Sequence, residues 1–349
     1  MGLIVGVALL LVSVGTIGAA WAISARYEKN IKRADLLGDV PTTQRTDGTG
    51  SSYDPGDDIV GPLNFLVLGS DSRLADPSVQ ANTVGERSDT MMLVHVTADL
   101  GSAYVVSIPR DAYVDIPAGG TWQGGKNKIN AAFSYGGAPL AAKAVYDLTG
   151  LPLDGAVVVD FNGVRTMVNA VGGVRVCTTY TVRSIHTNRV WRAGCNHMGG
   201  DSALDFMRQR YSVPGSDFGR IHNQQIVLKA LLDKAVSGGT LTNPLRFDSF
   251  LRAATSAITV DDSMDVEGLA FALRGLRPGD LTFETLPYSS ESLWTPYGTA
   301  VQVDEEATAA MFAAINADRL PEWKASRQAA PTSLIGGDPA VVPSPSIAD

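Results

Sequence analysis

The sequence predicts a mixed α/β domain in which a central mixed sheet is flanked by helices. Three observations predict it. Residues 64–68, 91–96 and 104–108 are short apolar runs of strand length. The turn residues Ala98-Asp99-Leu100-Gly101 between the second and third runs make those two an antiparallel hairpin. Residues 155–177 read as strand, helix, strand: an apolar Gly155-Ala156-Val157-Val158-Val159, a helical pattern over 162–171 closed by Gly172-Gly173, and an outgoing strand from Val174.

Taken in order, the chain opens on residues 3–23, which are almost wholly apolar and carry no charge. About 20 such residues are enough to cross a bilayer. Residues 1–24 therefore read as a single-pass transmembrane anchor, in competition with a signal peptide cleaved near Ala20-Trp21-Ala22. Arg26, Lys29, Lys32 and Arg33 follow, and the positive-inside tendency would place the rest of the chain in the cytoplasm. The cysteines discussed below argue for the outer, oxidising side. Residues 25–61 contain a Gly-, Thr-, Ser- and Asp-rich stretch from Asp35 onward, with Pro41 and Pro55, and read as a flexible stalk. The globular part is residues 62–322. Residues 323–349, rich in Pro, Ala and Ser, read as a disordered tail. A net charge of −8 argues against a general nucleic-acid binder.

Within the globular part, a Gly-rich loop over 119–125 leads to Lys128 and a helix start at Ile129-Asn130-Ala131-Ala132-Phe133. A second helix over 138–148 stops at Gly150. Cys177 and Cys195 flank a polar segment and are the only cysteines. In an exported domain they most simply form one disulfide, which would stabilise by about 3 kcal/mol in the chain-entropy model. A metal site is the competing reading, because His197 lies close by, but no second pair at zinc spacing exists. A helix begins near Gly199. An extended Met207-Arg208-Gln209-Arg210-Tyr211 then sets Arg208 and Arg210 on one face. Asp217 caps a helix over 220–235, on which Gln224 lies one turn after Arg220. Residues 244–257, 266–274 and 305–317 read as helices and 281–286 as a strand, all completing the core.

The three opening runs end in charge. Asp71 and Arg73 follow the first, Arg87 and Asp89 precede the second, and Arg110 and Asp111 follow the third. Antiparallel pairing brings these ends to one sheet edge. Surface salt bridges are the ordinary content of such an edge. Here, however, Arg208, Arg210 and Arg220 add cations that need an anion to share. Two carboxylates against at least five guanidiniums point to a multiply charged oxyanion, such as a pyrophosphate with Mg²⁺ or another divalent cation. There is no P-loop motif, and the four histidines share no motif with a serine and an acid.

The sequence resembles the LytR-CpsA-Psr family of bacterial cell-wall phosphotransferases. The resemblance is carried by L-V-L-G-S-D-S-R, R-S-D-T-M-M-L, V-S-I-P-R-D, K-I-N-A-A-F-S-Y-G-G, V-N-A-V-G-G-V, the run from Gly200 to Arg210, and D-F-G-R-I-H-N-Q-Q, in order across residues 63–235. It implies a membrane-anchored chain with an extracytoplasmic domain. That domain would move a glycopolymer from a polyprenyl-pyrophosphate carrier onto peptidoglycan and release polyprenyl phosphate. It implies Asp71 and Asp89 as metal ligands, and Arg87, Arg110, Arg208, Arg210 and Arg220 as pyrophosphate contacts. Lys128 and Gln224 would make further headgroup contacts. Asp89, Arg87 and Arg110 are the catalytic candidates, and Asp89 and Asp111 the candidate bases. The two-cysteine arrangement is similar to that of actinobacterial members. One departure is Asn223, which stands where the family often has a second arginine. A polyprenyl chain also needs an apolar groove, for which Ile129, Phe133, Val145, Val164, Met167, Val168 and Phe206 are candidates. Two readings compete with the transferase: a non-catalytic binder of prenyl pyrophosphate or wall polymer, and a lipid pyrophosphatase.

Overall fold

The computed structural model describes residues 30–42, 59, 61–70, 88–211, 213–215, 217–236, 240 and 243–329. The expected anchor over 1–24, Asp71, Arg73 and Arg87 lie outside these residues. Asp89 is described by its backbone alone.

Strands β1 (Lys32–Ala34), β2 (Leu63–Ser70), β3 (Ser88–Val96), β4 (Ala103–Ile108), β5 (Ala112–Ile116) and β6 (Gly125–Lys128) precede helix α1 (Asn130–Thr149). Then come β7 (Gly155–Asp160), α2 (Phe161–Ala170), β8 (Val174–Thr178), β9 (Val182–Arg183), β10 (Val190–Trp191) and β11 (Gly194–Met198). Helices α3 (Gly200–Arg208), α4 (Asp217–Ala235) and α5 (Pro244–Ser256) follow, with β12 (Ile258–Asp261) and α6 (Val266–Ala272). The described chain closes with β13 (Leu281–Thr285), β14 (Tyr288–Thr295), β15 (Gly298–Val303), α7 (Glu305–Asn316) and α8 (Leu320–Ala329).

Seven strands form one mixed sheet in the order β1-β12-β7-β2-β3-β4-β13. The expected hairpin is present: β3 and β4 are antiparallel, with Met91 opposite Ile108, and Leu100 takes a positive φ in the turn. β2 runs antiparallel to β3 and parallel to β7. Side chains alternate across the pleat, so each strand feeds two cores. Phe65 and Val67 join one apolar cluster with α2, α3, α4, α5 and α6. Leu66 and Leu68 join the other with α1, α7 and α8. The result is helices, sheet, helices, as expected. A second sheet, β14-β15-β5-β6, adds Val114 and Ile116 to the second core.

Local chemistry sets the boundaries. Asp160 caps α2 by accepting from the Asn162 amide, and Asp304 caps α7 through Ala307. Gly150 closes α1 in the left-handed region and donates to the Tyr146 carbonyl. Inside α1, Gly136 and Gly137 leave helical geometry just before Pro139, so the two expected helices form one kinked element. Cys177 and Cys195 stand directly opposite each other on antiparallel β8 and β11 and form the disulfide.

Two boundaries are corrected. The stalk expected over 25–61 includes fixed structure: β1 pairs parallel with β12, and Leu36, Leu37 and Val40 are buried in the second core. The Asp261 carboxylate accepts from the Leu36 and Leu37 amides and holds this turn in place. The tail expected from 323 begins instead with helix: α8 runs to Ala329, and Leu320 at its start is fully buried. No helix among the described residues is long and apolar enough to cross a membrane. The seven groove candidates are all core. Ile129, Phe133 and Val145 lie in one cluster, and Val164, Met167, Val168 and Phe206 in the other. The sheet separates the two sets, so they do not line one common groove.

Candidate active site

The site is built at the edge where β2 ends, β3 begins and β4 ends. Ser70, the last residue of β2, lies opposite Ser88, and Asp89 falls at the register shift between the Gly69–Thr90 and Ser70–Ser88 pairs. β4 delivers Arg110 through Pro109, and the next residues turn into β5. Asp111 and Lys128 come together because Tyr113 of β5 pairs with Lys128 of β6. The N-terminal end of α4 closes the edge from the other side.

The centre of the described site is Asp217, the first residue of α4. Its Oδ2 accepts from Arg220 Nη2 at 3.0 Å. Its Oδ1 lies 3.8 Å from Arg110 Nε and 3.9 Å from Arg210 Nη1. Arg110 also approaches Asp111 at 3.5 Å, and Lys128 Nζ reaches the other Asp111 oxygen at 3.4 Å. One continuous chain of ion pairs thus links Lys128, Asp111, Arg110, Asp217, Arg210 and Arg220. Among the described residues it holds four cations and two carboxylates. Arg220 is 5% exposed and Arg110 16%, so much of this charge is shielded from water. A partly dehydrated cluster of guanidiniums of this kind is suited to a polyanion.

Sequence reasoning reads Asp217 only as a helix cap. The local signal for more was its i,i+3 spacing to Arg220. The long-range approach to Arg110 has no local signal.

Arg208 and Arg210 differ from the extended expectation. Arg208 is the last residue of α3, and its guanidinium sits 5.8 Å from the Phe161 ring centroid. Gln209 is the extended residue and is fully buried. Its Nε2 donates to the Asp205 carboxylate and its Oε1 accepts from the Ile185 amide. This anchor turns the chain so that Arg210, and not Arg208, joins the Asp217 network.

Gln224 is buried and accepts from Thr90 Oγ1 at 3.0 Å, while its neighbour Gln225 donates to Ser107 Oγ at 2.9 Å. Two successive glutamines therefore bind α4 to β3 and β4, one turn beyond Arg220. Asn223 faces elsewhere. It is fully buried, accepts from Tyr180 Oη at 2.9 Å and donates to the Phe206 carbonyl. The departure at this position ties α4 to α3 and to the loop after β8, away from the ion-pair chain. Burial pushes the Tyr180 phenol up to about 12 and lowers the neighbouring His222. No group of three His, Cys, Asp or Glu side chains suited to a metal occurs among the described residues.

Fold and site together define a three-layer α/β protein with an arginine-rich sheet edge closed by a helix N-terminus. The chain belongs to the LytR_cpsA_psr family, whose model matches residues 28–316. It is 35% identical over 259 residues to a probable cell wall biosynthesis protein, LcpB, of Corynebacterium glutamicum, covering 72% of this chain and 60% of that protein. It is 31% identical over 204 residues to a polyisoprenyl-teichoic acid–peptidoglycan teichoic acid transferase, TagU, of Enterococcus faecalis. That match covers 58% of this chain and 63% of TagU. The chain thus spans about three fifths of the length of these relatives. The crystal structure of Bacillus subtilis TagV superposes with a TM-score of 0.59 at 26% identity, covering 75% of this chain and 98% of TagV.

Proposed function

We propose that this protein is a phosphotransferase that moves a glycopolymer from a polyprenyl-pyrophosphate carrier onto peptidoglycan. The observation that carries the reading is the continuous ion-pair chain from Lys128 to Arg220, which gathers Arg110, Arg210 and Arg220 around Asp217 at the strand ends. A pyrophosphate would offer these cations further anionic oxygens. It would draw Arg110, Arg210 and Arg220 away from Asp217, exchanging one carboxylate for several phosphoryl oxygens. The name of the TagU relative, a transferase from polyisoprenyl carrier to peptidoglycan, supports the same assignment.

In the proposed reaction an acceptor hydroxyl on peptidoglycan attacks the phosphorus that bears the polymer. A new phosphorus–oxygen bond forms, the bond to the bridging oxygen breaks, and polyprenyl phosphate leaves with that oxygen. The hydroxyl proton passes to a nearby carboxylate. Arg110, Arg210 and Arg220 would bind the phosphoryl oxygens, and Lys128 would hold the outer edge of the headgroup. Asp217 keeps the three guanidiniums aligned before substrate arrives. Arg87 directly precedes β3 in the sequence and would join these contacts. Asp71 directly follows β2 in the sequence and Asp89 is the second residue of β3, and two carboxylates are the hard oxygen ligands that Mg²⁺ takes. When bound, that ion would neutralise charge on the phosphoryl oxygens. The apolar run over 3–23 would anchor the domain at the outer face of the cell membrane, and the disulfide is in keeping with that oxidising side.

The test is transfer from a lipid-linked polymer to peptidoglycan, read as released polyprenyl phosphate. Arg110→Ala and Arg210→Ala are expected to lower the rate about 10²–10³-fold while circular dichroism is unchanged. Wild-type rates in both variants would sink the reading.

A further inference from the structure

The ion-pair chain depends on where helix α4 begins, and two rings outside that chain fix the point. Asp217, Arg220 and Gln224 follow one another at spacings of three and four, so they share one face of α4. Phe218 and Gln225 are seven residues apart and share the next face round. The first face carries the candidate site. The second holds the helix to the sheet.

Both anchors of the second face meet the same corner. Gln225 Nε2 donates to Ser107 Oγ of β4 at 2.9 Å. Thr285 of β13 pairs with Ser107, and the Leu286 amide donates to the Ser107 carbonyl. β13 and β4 run parallel, so Tyr288 and Arg110 each stand three residues beyond the same point of register. There the Tyr288 ring stacks on Phe218, with centroids 4.3 Å apart and planes 27° from parallel. Tyr288 is itself held: it lies opposite Val303 of β15, and its hydroxyl donates to Glu291 Oε1 at 3.1 Å. A Cβ on Gly219 would fall 2.3 Å from the Pro214 carbonyl oxygen, so the backbone of the first turn sits directly on the loop before it.

A helix start held at both places has one rotational setting. A partial roll about the axis would carry the Asp217 carboxylate away from Arg110 and Arg210 and take Arg220 with it, because hydrogen bonds and close ion pairs tolerate little displacement. Gln224 and Gln225 restrain α4 two turns further on and leave its first turn to the ring stack.

We infer that Tyr288 is a positioning residue for anion binding: its ring, stacked on Phe218, sets the first turn of α4 so that Asp217 reaches Arg110 and Arg210 and Arg220 joins them. The inference rests on the reading of this edge as a pyrophosphate site. It concerns binding, which needs no turnover.

The test titrates the full chain in detergent with inorganic pyrophosphate by calorimetry, well below the unfolding midpoint. Tyr288→Ala is expected to weaken binding about tenfold. Tyr288→Phe keeps the ring, loses only the bond to Glu291, and should bind within about twofold of wild type. Arg220→Ala removes a group through which Tyr288 acts, so adding Tyr288→Ala to it should cost less than about twofold more. Tyr288→Leu, which keeps apolar cover without the flat face, serves in the same cycle should the alanine variant not fold. Equal affinity in wild type and Tyr288→Ala overturns the inference. So does a full tenfold loss on the Arg220→Ala background, which would show that the ring acts independently of the arginine. A loss in Tyr288→Phe as large as in Tyr288→Ala would assign the effect to the hydroxyl and overturn it too. Wild type that binds pyrophosphate but transfers no polymer would end the transferase reading and leave this inference to the affinities above; wild type that does not bind pyrophosphate overturns both.

Discussion

Strand β4 of the seven-stranded sheet is buried at all six positions, whereas β14 of the four-stranded sheet is buried at one of eight. The first sheet is covered by helices on both faces, so its interior positions are mostly apolar, the buried polar side chains there, such as Ser107 and His95, are hydrogen-bonded, and the charged side chains gather at the strand ends. The second sheet packs one face on the core and leaves the other to solvent, so it can carry chemistry along its length. The ion-pair chain and the exposed rings of Trp294 and Tyr297 follow this division. Charge gathers where the large sheet stops, and rings stand where the small sheet is open.

The sharpest way to break the comparison is to truncate a ring in each sheet. Phe65→Ala, in the large sheet at 1% exposure, is expected to cost about 3–5 kcal/mol of unfolding free energy. Trp294→Ala should stay within about 0.5 kcal/mol. Denaturant midpoints at constant slope measure both, and similar losses would end the distinction. The double variant Cys177→Ser/Cys195→Ser comes next, at about 3 kcal/mol, since the bridge joins neighbouring strands of a small two-stranded ribbon. A thermal melt with and without reductant checks it; an unshifted midpoint would show the ribbon is held by other contacts.

Asp217→Asn tests the strand-end cluster. Three guanidiniums would lose their shared carboxylate, with an expected loss of about 1–2 kcal/mol in phosphate-free buffer. Inorganic pyrophosphate should raise the variant's melting temperature more than that of wild type, because the anion takes over the role of the carboxylate. Equal gains would mean that Asp217 does not stand in the anion's place.

The smallest effect is a pH slope at the far end of β3. Buried His95 sits between Asn64 and Asp318, and burial holds its pKa below 6.5 despite the opposing carboxylate. Nδ1 faces Asn64 Oδ1 and Nε2 faces Asp318 Oδ1, each at 2.8 Å, so a neutral ring donates to only one of these two acceptors. The unfolded chain binds the proton more readily. Stability is therefore full above about pH 6.5 and falls as pH drops through that value, with His222 acting in the same direction. Denaturant midpoints between pH 7.5 and 5.5 should show this slope, and His95→Gln should flatten it. An unchanged slope would remove His95 from the account.

The large sheet was largely legible because its signals are local. Apolar runs of strand length, one hairpin turn and the first strand of the strand–helix–strand unit specify β2, β3, β4 and β7, and residues 281–286 read as a strand where β13 stands. β1 was not legible, because Lys32-Arg33-Ala34 has no apolar period and pairs with Thr259, Val260 and Asp261 far along the chain. In the site, the arginines were visible from their residue types and Lys128 from the family resemblance. The role of Asp217 was not, because its contact with Arg110 depends on how α4 docks on the sheet. Asn223 shows the same limit. It stands where the family often has an arginine, and residue type alone did not show that the helix turns this position toward Tyr180.

The docking of β1 also fixes a height. If residues 25–61 were all slack, the domain would hang from the apolar run on a leash of roughly 100 Å or more. With Asn30 already ordered and β1 held in the sheet, the stretch between Ile23 and Asn30 reaches at most about 25 Å. Under the proposed anchoring, the protein works close to the bilayer surface. On the transferase reading, a carrier lipid would need to rise only a short way to meet its arginines, and the wall would have to come down to the domain.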